Sequence, residues 1–336
     1  MLLQKKCRTS ADPAGPVAFT AEEFLARIHP PCRGLHPVLR YVFQSEGKRI
    51  RPRLLCLSAR LFDPAVPHLA EAVTLVEALH NGTLLHDDVM DRASLRRNRP
   101  TVNRLWGDGV AILAGDFLLT AAVDLALRTQ HDSVLPLAVE TLMELVAGQM
   151  MELQNHGNLT LEERTALLII EKKTGSLFAM ACKLGGLLGG GRPEDLLALE
   201  AYGLHLGTAF QLLDDIRDFL SARDRTGKEP GRDLAEGKVT LPVLAAFRRA
   251  DTADKKRIRR IYADPRRAAR LGELTALLED NGGFACGFRE AEGRLRAAVS
   301  ALEPIPKGVA RDDMERAAWA VIKEYGPHRL AEWIRP

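Results

Sequence analysis

A chain of 336 residues, 46% hydrophobic and 27% charged, carries enough apolar material for one large globular domain or two small ones. Its net charge of +3, only 5% aromatic residues and the lack of a long basic stripe exclude nucleic-acid binding as the default. Five scattered cysteines (Cys7, Cys32, Cys56, Cys182, Cys286), odd in number and without CxxC spacing, exclude a disulfide framework and a zinc site, and fit a reducing cytoplasm.

Residues 1–18 include Pro13, Gly15 and Pro16 and no apolar signal segment, so a loose leader is expected before a single domain over 19–336. Asp116, Asp124 or Lys183 interrupts the most apolar stretches, and no transmembrane segment is expected. Gly47-Lys48-Arg49-Ile50-Arg51-Pro52 opens a helix, with Lys48 and Arg51 three residues apart: a point charge beside a planar fork suited to phosphate oxygens. Cys32 and Cys56 nearby are read as buried apolar side chains. A helix over 67–91 has Pro67 in its first turn and closes on Asp87-Asp88-Val89-Met90-Asp91, with Arg96-Arg97 just beyond.

Apolar residues at three- and four-residue spacing then predict long helices over 109–129, 133–155, 160–189 and 194–222. The third carries Lys173-Thr174 midway, beside Gly175, and stops at Gly189-Gly190-Gly191; the fourth starts at Pro193-Glu194-Asp195 and carries Asp214-Asp215-Ile216-Arg217-Asp218. A Gly-, Lys- and Asp-rich stretch at 223–238, containing Lys228 and Lys238, reads as an ordered functional loop before a helix at 239–250. Shorter amphipathic helices fill 253–334 without recognisable chemistry, and strand signals are nearly absent. The expected fold class is all-α, a bundle of long helices around a central cavity.

The two Asp clusters both read DDxxD. On a helix the first and last Asp project from one face, with the middle one about 100° round. Three carboxylates crowded among Leu84, Leu85 and Val89, or among Leu212, Leu213 and Ile216, need a cation. Mg²⁺ answers that need with few carboxylates, several waters and the oxygens of a substrate phosphate.

The ordered set GKRIRP (47–52), LLHDDVMD (84–91), LRRNRPT (95–101), KTGSLF (173–178), FQLLDDIRD (210–218) and GKEPGRDLAEGKVTLP (227–242) closely resembles the trans-isoprenyl diphosphate synthases, the polyprenyl synthetase family. The resemblance implies the all-α isoprenoid synthase fold, a homodimer, and a prenyltransferase condensing an allylic diphosphate with isopentenyl diphosphate with the help of Mg²⁺. It makes Asp87, Asp91 and Asp214 direct metal ligands, with Asp88, Asp215 and Asp218 completing the acidic walls. Arg96, Lys173, Lys228 and Lys238 would hold the allylic diphosphate; Lys48, Arg51, Arg97 and His80 would hold isopentenyl diphosphate; Thr174 and Gln211 would face the reacting carbon.

Product length is expected to depend on what lies below the first Asp cluster. Gly82 and Thr83, five and four residues before Asp87, are small where short-chain members carry aromatic residues, so this chain-length gate reads as open. Ala121, Ala122 and Ala126 keep the neighbouring wall slim, and Phe117, Leu118 and Met143 are candidate floor residues. A medium- to long-chain polyprenyl product is expected, with geranylgeranyl or farnesyl diphosphate synthesis as the alternative and peripheral membrane contact for product release. A terpene cyclase is disfavoured because the second motif is another DDxxD and GKRIRP is present. A di-iron bundle is disfavoured because Glu77-Ala-Leu-His80 has no second ExxH partner. A non-catalytic subunit of a heteromeric synthase would be expected to lose an Asp cluster or the Arg pair, and neither is lost.

Overall fold

The structure, a computed structural model, describes residues 20–44, 49–63, 65–220 and 231–325. The leader at 1–18, Lys48 and Lys228 lie outside the described residues.

In chain order the helices are α1 Ala21–Ile28, α2 Leu35–Phe43, α3 Ile50–Arg60, α4 Leu69–Met90, α5 Val102–Trp106, α6 Asp108–Arg128, α7 Val134–Gln154 and α8 Glu163–Ile170. A π-helical turn, Glu171–Gly175, joins α8 to α9 Ser176–Leu188, and α10 runs over Pro193–Leu220. Then come α11 Arg232–Glu236, α12 Leu241–Arg249, α13 Thr252–Ala263, α14 Leu271–Asp280, α15 Gly283–Ala301 and α16 Val309–Tyr325. The strands among the described residues are β1 Leu95–Arg96 and β2 Arg99–Pro100, an antiparallel pair with Leu95 opposite Pro100 and Arg96 opposite Arg99.

Local chemistry explains the helix ends. Thr20 and Glu23 form a capping box at α1: Thr20 Oγ1 accepts the Glu23 N–H at 3.2 Å and Glu23 Oε2 accepts the Thr20 N–H at 2.6 Å. Pro193 is the first residue of α10, where its missing N–H costs nothing. α9 ends as expected on its glycines: Gly190 adopts φ 81° and the Gly191 N–H reaches back to Gly186 O at 2.8 Å. Pro67 instead lies in the turn ahead of α4 rather than in its first turn.

The described residues divide into two compact units, those within 1–142, 180–200 and 304–315 in one, and those within 143–179, 201–303 and 316–336 in the other. In the first, α4 packs on α6, and Leu54, Leu75, Leu79, Leu118 and Leu125 are buried, with the Phe24 and Phe43 rings stacked at 4.5 Å. In the second, α12 packs on α15, and α10 approaches the start of α9 backbone to backbone. A Cβ at Gly203 would lie 2.5 Å from Phe178 O, so only glycine permits that contact.

By length and composition alone, α6, α7 and α10 are each long and apolar enough to cross a membrane, which corrects the expectation from their interrupting charges. Those windows are 44%, 28% and 56% buried inside the protein.

Gly203→Ala is expected to lower stability by about 1–3 kcal/mol through overpacking. Gly293→Ala, on the exposed side of α15 with nothing within 4 Å of the added Cβ, is expected to gain about 0.5–1 kcal/mol. Urea unfolding of both variants checks the pair.

Candidate active site

The first Asp cluster closes α4: Asp87 and Asp88 lie in its last turn and Asp91 caps it. This is the negative end of the helix dipole, an unfavourable place for carboxylates. Asp88 is buried, and β1 brings Arg96 onto it with Nε 2.9 and 3.1 Å from the two oxygens and Nη2 2.8 Å from Oδ1. The strand pair that delivers Arg96 turns through Arg97 and Asn98, both at positive φ (52° and 60°). It is anchored by Tyr41, whose hydroxyl donates to Pro100 O at 2.7 Å and whose ring lies under Arg99 at 4.0 Å. Asp87 and Asp91 remain half-buried on the accessible side.

The second cluster sits likewise in the last two turns of α10 and shows the same division: Asp215 is buried, Asp214 and Asp218 are half-buried. Thr174 Oγ1 donates to Gln211 Oε1 at 2.9 Å, and Gln211 Nε2 donates to Asp215 Oδ1 at 2.8 Å. Burial, with Asp214 beside it, pushes the Asp215 carboxyl up to about 7 against the pull of the Gln211 hydrogen bond. Asp218 accepts the N–H groups of Arg232 (3.3 Å) and Asp233 (3.0 Å) and so anchors the start of α11. Burial also pushes the Asp233 carboxyl well above its usual value.

Thr174, Gln211, Asp215 and Asp233 share one cleft of the second unit. Glu152, His156, Lys173, Thr174, Gln211, Asp215, Asp233 and Lys238 form its polar lining, and Leu161, Ala166, Ile169, Ile170 and Leu241 its apolar lining. Lys173 and Thr174 stand on the π turn, which three consecutive ion pairs hold open: Glu171 to Arg294 at 2.5 Å, Lys172 to Glu144, and Lys173 to Glu152 at 2.5 Å. Lys238 is held through its backbone, its N–H donating to Asp233 O at 2.9 Å and its carbonyl accepting from the Tyr262 hydroxyl at 2.9 Å.

In the first unit, Arg51 Nη1 and His80 Nε2 are 3.2 Å apart. A guanidinium can only donate, so Nε2 accepts and Nδ1 carries the proton. Burial, then Arg51, Arg97 and Arg96, push His80 well below its usual value. His80 is therefore a neutral partner that orients Arg51 and not a further cation.

The donor chemistry fits a hard divalent cation. Among the described residues no three His, Cys, Asp or Glu side chains are gathered closely enough to hold a metal by themselves. A partial oxygen set at each cluster suits an ion that keeps waters and takes phosphate oxygens.

The sequence matches the polyprenyl synthetase family over residues 33–280, well over half the chain. The chain belongs to that family. It is 33% identical to the octaprenyl diphosphate synthase of Haemophilus influenzae, across 80% of this chain and 81% of the relative. It is 33% identical to the short chain isoprenyl diphosphate synthase of Methanothermobacter thermautotrophicus, across 84% and 88%. The polyprenyl synthase of Caulobacter crescentus, solved with calcium and isoprenyl diphosphate, superposes with a TM-score of 0.85 at 30% identity, covering 91% of this chain and 94% of that one. The all-α isoprenoid synthase fold expected from the sequence is thus the fold of this polyprenyl synthetase.

The structure qualifies three expectations about this family member. A Cβ at Gly82 would meet Leu119 side-chain atoms at 3.0 and 3.2 Å and Gly115 O at 3.2 Å, and the Thr83 hydroxyl bonds its own helix at Leu79 O and His80 O. Gly82 thus serves the close crossing of α4 on α6, and Leu119 fills the space beside it. Met143 is 69% exposed and lines no interior of the chain, unlike the buried Leu118. Cys32 is exposed, whereas Cys56 is buried as expected. Glu152, Asp233 and Glu236 were not singled out from the sequence; a lone Glu in the apolar stretch Val146–Leu153 was the available signal.

Arg96→Met removes the guanidinium fork from the buried Asp88 carboxylate and is expected to cost about 1–3 kcal/mol in chemical unfolding. Adding Asp88→Asn should return part of that loss. Arg99→Met, which removes only a half-buried cation over a ring, should cost less than about 1 kcal/mol.

Proposed function

We propose that this protein is a Mg²⁺-dependent trans-prenyl chain-elongating synthase, condensing an allylic diphosphate with isopentenyl diphosphate to give a medium- to long-chain polyprenyl diphosphate. Family membership makes it a prenyltransferase. The observation that carries the reading is the cleft in which Lys173, Lys238 and the hydrogen-bonded run Thr174, Gln211, Asp215 stand beside an apolar lining.

Heterolysis of the allylic C–O bond leaves growing negative charge on the departing diphosphate. Mg²⁺, when bound, supplies positive charge for that leaving group; Asp87, Asp91 and Asp214 are assigned to hold it. Asp88, tied to Arg96, and Asp218, tied to α11, keep the clusters in place. Lys173 and Lys238, placed by the π turn and by backbone hydrogen bonds, offer N–H donors to that charge from positions already beside the cleft. Lys228 and Arg96 are assigned to the same diphosphate. Arg51, oriented by neutral His80, joins Lys48 and Arg97 in holding isopentenyl diphosphate. The Thr174 hydroxyl donates its hydrogen bond to Gln211 Oε1, so its oxygen lone pairs can face the allylic cation. The Leu161, Ile169 and Ile170 lining keeps water from that cation while carbon–carbon bonding occurs. The departed diphosphate is the base that takes the final proton.

Relatives named for octaprenyl and for short-chain products stand at equal identity, so likeness alone does not set the product. We assign medium to long chains because neither residue 82 nor residue 83 is aromatic; Leu119, which takes the space beside Gly82, is the side chain assigned to limit growth there.

We further assign a homodimer. Along α7, Val139, Met143, Val146, Met150 and Leu153 form an exposed apolar row at three- and four-residue spacing, and a second copy would cover it. Product release at a membrane surface also suits such apolar helices. A reducing cytoplasm fits the free thiols, of which Cys56 and Cys182 are buried.

Incubation with labelled isopentenyl diphosphate, Mg²⁺ and an allylic primer is expected to give a ladder beyond twenty carbons, abolished by chelator and restored by Mg²⁺. Asp87→Ala should lose roughly a thousandfold or more in turnover, several kcal/mol of transition-state stabilisation. Leu119→Ala should lengthen the ladder; near-normal Asp87→Ala activity or an unchanged ladder would contradict the respective assignments. In light scattering, Met143→Arg is expected to shift the wild-type dimer towards the 37.0 kDa monomer.

A further inference from the structure

Two of the ammonium groups assigned to the diphosphate, those of Lys173 and Lys238, already have anionic partners within the protein. Glu152 Oε1 lies 2.5 Å from Lys173 Nζ and 3.8 Å from Lys238 Nζ. Lys238 Nζ is also 2.5 Å from Glu236, which takes Arg232 Nε at 2.6 Å on its other oxygen. The Glu152 side chain is 19% exposed, and Lys238 and Glu236 are 15% and 11% exposed, so bulk water screens these contacts weakly. Burial opposes the charge on Glu152, yet Lys173 and then Lys238 hold its carboxyl below the usual range.

A diphosphate oxygen entering this cleft meets Glu152 as a competitor for the same N–H donors and as a like charge. The chemistry of elongation makes that competition useful. Every condensation leaves one inorganic diphosphate that must depart before the next allylic diphosphate is ionised. Lysines that held both species ever more tightly would slow the cycle without lowering the barrier.

We propose that Glu152, besides positioning Lys173 and Lys238, acts as their resident counter-ion, weakening their hold on diphosphate and so setting the rate at which the leaving group is released. This inference rests on the assignment of the cleft to diphosphate. It differs from a merely structural role in its sign, because removing a structural support loosens a site, whereas removing a competing anion tightens it.

The test titrates inorganic diphosphate with Mg²⁺ into the full-length protein by calorimetry, using wild type, Glu152→Gln, Glu152→Asp, Glu236→Gln and Lys173→Met. Glu152→Gln is expected to bind diphosphate on the order of tenfold more tightly, the scale of one charge contact in a partly buried site. Its single-turnover condensation should proceed, while steady-state turnover slows and an initial burst appears. Glu152→Asp should lie between. If circular dichroism shows Glu152→Gln to be unfolded, Glu236→Gln, which releases Lys238, must show the same tightening. Unchanged or weaker diphosphate binding in a folded charge-neutral variant overturns the counter-ion role. Should the wild type bind no diphosphate, or Lys173→Met bind it as well as wild type, the assignment of the cleft itself falls instead.

Discussion

Two long helices, α4 and α10, each end in a DDxxD cluster, so carboxylates accumulate where the helix dipole is already negative. That arrangement works against folding unless cations or hydrogen bonds compensate it, and much of the surrounding structure supplies them. Arg96 reaches Asp88 from a two-strand turn whose backbone enters the left-handed region twice. Gln211 reaches Asp215 from one turn earlier on α10, and the start of α11 offers two N–H groups to Asp218. In both clusters the buried middle carboxylate is spent on protein partners, and the first Asp is half-buried. The proposed division of labour follows from this: Asp88, Asp215 and Asp218 are tied to protein partners, and the metal is assigned to Asp87, Asp91 and Asp214.

The cationic side follows the same logic. A lysine ammonium is flexible and strongly hydrated, so placing one accurately takes further contacts. The π turn at Glu171–Gly175 offsets Lys173 and Thr174 from the regular helix, and ion pairs from Glu171, Lys172 and Lys173 each tie it to a different residue. Lys238 is placed through its backbone by Asp233 and Tyr262. In the proposed reading, such placement limits the movement needed as charge develops on the leaving group.

Most of the frame was legible in the sequence. Apolar periodicity located α4, α6, α7 and α10 to within two residues at each end, and Pro193 and Gly190 mark a start and a stop by their own backbone chemistry. The Asp clusters were legible because carboxylates flanked by apolar residues need explaining. The π turn was not, since five residues of altered pitch leave the surrounding period intact. The turn at Arg97-Asn98 was hidden because only Asn98 is a usual left-handed residue. Gly82 looked like an open gate, but whether a missing side chain leaves space or admits a neighbour depends on Leu119, thirty-seven residues away. The ion pairs of Glu152 depend on α11 and the π turn, and no spacing rule reports contacts that distant.

The most direct measurement is a crystal structure with Mg²⁺ and an allylic thiolodiphosphate, which binds like the substrate and resists ionisation. The division of labour predicts metal density on Asp87, Asp91 and Asp214, phosphate oxygens at Lys173 and Lys238, and Asp88 still forked by Arg96. Metal on Asp88 with Arg96 displaced, or a diphosphate bound away from both lysines, would contradict it.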